Sequence, residues 1–321
     1  MEYRYLGRTG LKVSTICLGT MQFGWTTDEA QAFEVMTRAV ALGCNFFDTA
    51  DVYSRWAEGN PGGVSEEIIG RWLAQGVVRR QDIILATKVR GAMSDAETDQ
   101  GLSRHHIMAA VDGSLRRLQT DYIDLYQVHW PDTDTPLEET LRALDDLVRA
   151  GKVRYIGCSN YPAWLLAKAL WISDVRSLAR FDSLQPHYNL VYRAEFEREL
   201  QPLCLDQGIG VIPYSPLAGG FLTGKYRPGQ PMPDSARAAG VQRRYMNDTG
   251  YAAVAKLEQV GLLHEATVAQ TAIAWVLANP AVTSAIIGAN DVAQLEETGK
   301  GALVRLSDAE KTALDEATAW H

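Results

Sequence analysis

The chain has 321 residues and is 46% hydrophobic, enough to bury a large core in one α/β domain or two. Its 31 basic residues against 39 acidic ones leave a net charge of −8, which argues against nucleic acid as the main partner. No apolar run reaches transmembrane length, and Met1-Glu2-Tyr3-Arg4 opens no signal-peptide pattern, so the expected location is cytoplasmic with no membrane partner.

Residues 3–14 alternate polar and apolar around Gly7-Arg8-Thr9-Gly10 and predict a hairpin. A first core strand covers 16–20 and ends Gly19-Thr20. Thr27-Asp28-Glu29 opens a helix that runs to Leu42, before Gly43. Residues 45–53, Asn-Phe-Phe-Asp-Thr-Ala-Asp-Val-Tyr, begin as a buried strand and leave it through a polar exit. A Gly- and Pro-rich loop (55–63) and a helix from Ser65 to about Gln75 follow. Residues 82–88 make an apolar strand that terminates in Lys88. After a polar loop, Ser103 caps a helix to Leu118.

The strand at 122–129 ends in His129, and Pro136 suits the first turn of a helix reaching Ala150. Residues 153–160 form a strand ending Ser159-Asn160, followed by a helix from Pro162. Further strands are expected at 183–189, carrying Gln185 and His187, and at 210–216, with a helix at 195–207 between them. A long loop (217–248) leads to helices at 251–264 and 267–278. The last strand is 283–289, and helices start at Asp291 and Ser307, the latter running to the end.

This makes eight strand–helix units after the hairpin. Nearly every strand is a solid apolar run, as parallel strands buried on both faces should be. No G-x-G-x-x-G follows any strand, which favours a closed (β/α)8 TIM barrel over an open dinucleotide-binding sheet. No composition break or linker divides the chain, so residues 1–321 are expected to form a single domain. Cys17, Cys44, Cys158 and Cys204 are widely spaced, fit no zinc or redox motif, and read as reduced thiols.

In such a barrel the strand ends converge on one mouth. A lysine closing an apolar strand needs a partner for its charge, and Asp48 is the candidate. A tyrosine is a poor acid at its free pKa of about 10. Lys88, balanced by Asp48, is expected to lower the pKa of Tyr53. Tyr53 then protonates a carbonyl oxygen as it becomes an alkoxide, and neutral His129 orients that oxygen. Such a set reduces carbonyls only if something delivers a hydride, so a nicotinamide is implied.

The quoted stretches match a known family in order along the chain. They are Gly-Arg-Thr-Gly-Leu-Lys-Val-Ser (7–14), Cys-Leu-Gly-Thr-Met (17–21), Phe-Phe-Asp-Thr-Ala-Asp-Val-Tyr (46–53) and Ala-Thr-Lys (86–88). Tyr-Ile-Asp-Leu-Tyr-Gln-Val-His (122–129), Gly-Lys-Val-Arg-Tyr-Ile-Gly-Cys-Ser-Asn (151–160) and Tyr-Ser-Pro-Leu-Ala-Gly-Gly-Phe-Leu-Thr-Gly-Lys (214–225) complete the set. The chain resembles the aldo-keto reductases almost end to end, in particular their bacterial, potassium-channel-β-like branch. The resemblance implies a (β/α)8 barrel binding NADP or NAD and assigns catalysis to Asp48, Tyr53, Lys88 and His129.

It further implies that Ser159, Asn160 and Gln185 bind the nicotinamide carboxamide and that Tyr214 stacks on the ring. Gly19, Thr20, Met21, Asp48, Ser215, Leu217, Gly219 and Lys225 are implied around the cofactor, and Gly288, Asn290, Gln294, Glu297 and Thr298 at its adenosine end. The family resemblance slightly favours NADP, but Asn290 and Thr298 stand where many relatives carry Arg or Lys and Asn, which weakens strict NADP use and leaves NAD or dual use open. Residues 219–226 come close to a phosphate-binding P-loop, but Tyr226 replaces the Ser or Thr that would hold magnesium. Arg227, Arg237, Arg243 and Arg244 make the following loop basic.

Trp25, Trp56, Trp130 and the segment 90–102 are expected to line the pocket for a small carbonyl or alcohol substrate. Two other readings are a nucleotide-binding redox sensor or channel β-like subunit with little turnover, and a metal-dependent hydrolase using Asp48, His129 and His187. No metal is expected in the reductase or the sensor reading. Oligomeric state is not legible.

Overall fold

The computed structural model describes residues 1–320. The hairpin is β1 (Tyr3–Tyr5) and β2 (Lys12–Ser14), paired antiparallel. Then follow β3 (Ile16–Gly19), α1 (Glu29–Ala41), β4 (Phe46–Asp48), α2 (Val64–Ala74), β5 (Ile84–Val89) and α3 (Arg104–Leu118). The order continues with β6 (Ile123–Val128), α4 (Leu137–Arg149), β7 (Val153–Ser159), α5 (Ala163–Arg176), β8 (Phe181–Gln185), α6 (Gln201–Gln207) and β9 (Gly210–Val211). The last part holds α7 (Ala238–Tyr245), α8 (Asp248–Leu263), α9 (Val268–Leu277), β10 (Ala285–Gly288), α10 (Val292–Gly299) and α11 (Asp308–Ala317). No single helix among the described residues is long and apolar enough to cross a membrane.

Eight parallel strands follow one another in the order β10-β3-β4-β5-β6-β7-β8-β9. The two ends of this sheet meet. Val211 bridges Val282, and the Ile286 amide donates to the Pro213 carbonyl at 3.0 Å. The expected (β/α)8 TIM barrel is therefore the observed architecture, with the helices outside.

Alternation along each strand sorts side chains between two cores. Cys17, Phe46, Ile84, Ala86, Leu125, Ile212 and Ile286 fill the inside, and Leu6 and Val13 of the hairpin seal it from below. Leu18, Phe47, Leu85, Tyr126, Cys158 and Leu184 point outward, under the helices. Above the apolar interior, the next inward residues on four strands are polar: Asp48, Lys88, Gln127 and Gln185. The fold thus places a polar layer on top of a sealed apolar plug. At Gly157 in β7 a Cβ would lie 2.2 Å from the Ser183 hydroxyl, so only glycine lets β7 and β8 approach there.

Helix starts agree with their caps. Asp28, Ser103, Asp291 and Ser307 accept from backbone amides at the heads of α1, α3, α10 and α11. The predicted helix at 195–207 begins instead as a π-helical turn, Phe196–Leu200, before α6. Pro202 has no N–H to continue the ladder. The strand expected at 183–189 lies at Phe181–Gln185, which leaves His187 beyond its end, in an isolated bridge to Tyr214. The strand expected at 210–216 shrinks to Gly210–Val211, because Pro213 and Pro216 cannot donate. The expected loop 217–248 contains α7. The final helix stops at Ala317, and His321 lies outside the described residues.

Candidate active site

Asp48 ends β4 and Lys88 lies near the end of β5, the neighbouring strand. The Lys88 Nζ donates to Asp48 Oδ2 at 2.6 Å, to the Thr49 carbonyl at 2.8 Å and to Tyr53 Oη at 2.9 Å. All three of its protons are used. Asp48 Oδ1 accepts from Gln127 Nε2 at 3.0 Å and from Gln185 Nε2 at 2.9 Å. Exposure falls from 9% at Tyr53 and 6% at His129 to 1% at Asp48 and 0% at Lys88. A buried ion pair is tolerable only when its remaining donors and acceptors are met, and here they are.

Tyr53 reaches the lysine from the loop between β4 and α2. Its amide donates to the Ala50 carbonyl at 3.3 Å, and the next residue, Ser54, turns the chain at φ 66°. The Ser54 hydroxyl closes on the Tyr53 carbonyl at 2.6 Å. His129 follows β6 directly, its amide donating to the Val89 carbonyl at 3.0 Å. The imidazole stacks on Trp130 with centroids 3.7 Å apart and meets the Tyr53 ring edge-on at 5.8 Å. Its Nδ1 is buried without a partner.

Burial sets the protonation states. It pulls the Lys88 ammonium down, but Asp48 and Tyr53 more than restore it, so the amine is held above its ordinary value. Burial, helped by Lys88 and Arg90, drives the His129 imidazole well below its ordinary value, so this ring is neutral. The Tyr53 phenol behaves differently from the sequence expectation. Lys88 does pull it down, but burial outweighs the ammonium and Asp48 opposes it, so its pKa is raised. Tyr53 therefore keeps its proton throughout the neutral range.

The expected nicotinamide residues sit around this cluster. The Ser159 hydroxyl donates to the Gln185 carbonyl at 2.7 Å. Asn160, in the left-handed region at φ 59°, donates to the His129 carbonyl at 3.0 Å and to Ser159 Oγ at 3.1 Å. Its Oδ1 accepts from the Tyr214 hydroxyl at 2.9 Å. One face of Tyr214 stacks on His187 at 5.2 Å, and His187 stacks in turn on Tyr192 at 4.1 Å. Burial pushes the Tyr214 phenol up to about 12 and the His187 imidazole down to about 4. Gln185 uses its Nε2 on Asp48, so its carbonyl side remains for an amide N–H, and Tyr214 is an aromatic platform backed on one side. These donors and acceptors fit a carboxamide-bearing aromatic ring.

The other residues expected around the cofactor make the following contacts within the protein. The Thr20 hydroxyl bonds the Asp48 carbonyl at 3.1 Å and Ser65 Oγ at 2.8 Å, inside the wall. Gly19 and Gly288 end neighbouring strands, and Gln22 bridges them by donating to the carbonyls of Gly19 and Ala289. Met21 and Leu217 are half-buried, and Ser215 and Gly219 both turn at positive φ. Asn290 Oδ1 accepts from Thr26 and Thr27, Gln294 caps the Asn290 amide, Glu297 takes the Thr267 hydroxyl, and Thr298 is buried. Lys225 is exposed beside the Tyr226 ring, and Arg227 pairs with Glu258. Tyr226 is buried.

Trp25, Trp56 and Trp130 form an aromatic rim. Trp25 meets Trp56 at 5.7 Å, Trp56 meets Tyr53 at 6.2 Å, and Trp130 covers His129. The hydrolase set does not assemble. Asp48 is committed to Lys88 and two glutamines, and His187 Nε2 faces the Tyr245 hydroxyl at 3.0 Å. Among the described residues no group of three His, Cys, Asp or Glu could hold a metal.

Sequence reasoning missed Gln127, which supports Asp48, and the His187 stack behind Tyr214. Gln127 was legible as the one polar inward position in β6 below His129. The stack was not, since its members come from separate loops and from α7.

The family model described as "Aldo/keto reductase family" matches residues 15–319. An "Uncharacterized oxidoreductase YrpG" of Bacillus subtilis (strain 168) is 43% identical over 311 residues, 95% of this chain and 92% of that protein. A "Probable voltage-gated potassium channel subunit beta" of Arabidopsis thaliana is 37% identical, covering 94% of this chain and 90% of its own. "Protein tas" of Escherichia coli (strain K12) is 36% identical, with 96% and 95% covered.

Proposed function

The chain belongs to the aldo/keto reductase family, and from that premise we propose that it is an NADP- or NAD-dependent oxidoreductase that moves a hydride between nicotinamide and a small carbonyl or alcohol, with Tyr53 as general acid and base. The observation that carries this reading is the Lys88 ammonium hydrogen-bonded at once to Asp48 and Tyr53. A bound nicotinamide supplies or accepts the hydride. Ser159, Asn160 and Gln185 hold its carboxamide, and Tyr214 supports its ring.

In the reducing direction the phenol gives its proton to the carbonyl oxygen as negative charge gathers there. The phenolate left behind is stabilised by the ammonium, which Asp48 keeps charged and in place. Neutral His129 donates a hydrogen bond to the same oxygen without competing for the proton. The raised pKa of Tyr53 suits an acid that must arrive protonated. In the oxidising direction the same phenol must first lose its proton, so oxidation should gain more from high pH than reduction does.

The test is Tyr53→Phe. Turnover should fall by roughly a hundredfold to ten-thousandfold, while NADPH or NADH titration by tryptophan quenching stays at the wild-type affinity. Unchanged turnover removes Tyr53 as the acid. A second reading, a cofactor-holding regulatory subunit with little turnover, is favoured by the similarity to the Arabidopsis thaliana channel subunit. Retention of oxidised cofactor with no turnover on aldehydes, ketones or sugars would select it.

A further inference from the structure

Arg90 stands out among the charged groups at the mouth. It follows β5 directly, and Ile84, Ala86 and Lys88 of that strand point into the barrel, so Arg90 is next in phase on the same face. Its backbone sits at φ 118°, a region that non-glycine residues rarely adopt. Strain of this kind persists where the surroundings impose it, often at ligand sites. Gly91 is packed against Val52, so the turn is wedged beside the Tyr53 loop.

The arginine is half-buried, and its Nε is buried without a hydrogen-bond partner. Nearby acids are engaged elsewhere. Asp95 pairs with Arg55, Asp99 faces His106, and Asp132 accepts from the Leu102 amide and the Thr135 hydroxyl. Lys88 is balanced by Asp48, whereas Arg90 has no such balance. Its closeness to the reacting centre is felt by His129, whose imidazole it helps to depress. An arginine held this way offers a planar fork suited to a carboxylate.

We propose that Arg90 is a specificity-determining residue that receives the carboxylate of an aldehyde or ketone substrate, so the preferred substrates of this enzyme carry a carboxylate on the carbonyl-bearing skeleton. This deepens the reductase reading and rests on it. The carbonyl meets Tyr53 and His129, the skeleton lies against Trp56 and Trp130, and the charged end meets the guanidinium.

Two matched pairs test the assignment. In turnover, 4-carboxybenzaldehyde is compared with benzaldehyde at saturating cofactor, in the wild type, Arg90→Gln and Arg90→Lys. The ratio of kcat/KM, charged over neutral, should drop roughly tenfold to a hundredfold in Arg90→Gln, mostly through KM, and less in Arg90→Lys. In binding, benzoate is compared with benzamide by tryptophan quenching, which requires no turnover. The wild type should prefer benzoate, and Arg90→Gln should lose that preference.

An unchanged ratio together with an unchanged binding preference overturns the proposal. So does a loss of cofactor affinity in Arg90→Gln with the ratio intact, which would give Arg90 to the nucleotide. If the wild type turns over neither aldehyde yet still prefers benzoate through Arg90, the anion site stands and the reductase reading fails.

Discussion

Two buried charge clusters lie back to back across the wall of the barrel, joined by consecutive residues of β5. Lys88 points inward to Asp48, and Thr87 points outward, its hydroxyl donating to Glu66 at 2.6 Å. On the inside, Asp48 has the ammonium on one oxygen and two glutamine amides on the other. On the outside, Glu66 takes Thr87 and Arg117 Nε, the latter at 2.6 Å, but Asp51 beside it has neither oxygen in a well-aligned hydrogen bond. The Tyr126 hydroxyl, next to them, is also unpartnered. Both aspartates are 1% exposed and only three positions apart in the chain. One cluster matches its charges and lone pairs and can carry chemistry. The other sets two acids against one cation, and its answer is to keep a proton.

The sharpest break of the comparison is Lys88→Met. It leaves Asp48 buried without its cation, a loss of about 3–5 kcal/mol for such a pair, and it takes away the group that stabilises the Tyr53 phenolate in the proposed mechanism. Urea unfolding should show the stability loss, and turnover should fall with it. A variant that keeps both would mean that Gln127 and Gln185 suffice for Asp48 and that the inner match is not electrostatic.

Arg117→Met is the corresponding cut on the outer face. Glu66 loses its cation but keeps Thr87, and the Arg117 side chain is 21% exposed, so water can reach the gap. The expected loss is about 2–3 kcal/mol, below the range for a fully buried pair. Cofactor affinity and kcat should stay near wild type, because the cluster lies on the helix side of the strand. A large fall in kcat at small stability cost would show that the outer cluster positions the Tyr53 loop, and would blur the division between the two faces.

The inner cluster was legible in the sequence because each member interrupts or ends an apolar run. Asp48 follows Phe46-Phe47, Lys88 closes Ile83-Ile84-Leu85-Ala86-Thr87, and His129 closes its strand. Eight such runs with helices between them also carry the barrel. The outer cluster was invisible for the same reason reversed: Thr87 and Tyr126 look like ordinary members of buried elements, and Arg117 like a surface residue of α3. The short helix α7 escaped because it buries only Val241 and Tyr245, holds Gly240 inside and has no capping side chain. The direction of the Tyr53 shift depended on how deeply the phenol is buried, and spacing carries no information on that.

Asp51→Asn is the mildest change and the one that measures the outer mismatch directly. Burial and Glu66 push the Asp51 carboxyl well above its ordinary value near 3.8, and Arg117, the Val52 amide and Lys88 pull it back too little. The folded chain therefore holds this proton to higher pH than the unfolded chain does. Its contribution to stability is whole below the ordinary value and is lost as pH rises toward the folded one, with a slope of at most about 1.4 kcal/mol per pH unit. The amide has nearly the same shape and nothing to ionise, so it escapes that loss. Melting temperatures of the two proteins should draw together below about pH 4 and separate, with the variant higher, as pH rises above it. A gap that stays constant, or a variant that is less stable at pH 8, would mean that Arg117 holds two ionised carboxylates and that the outer cluster is matched after all.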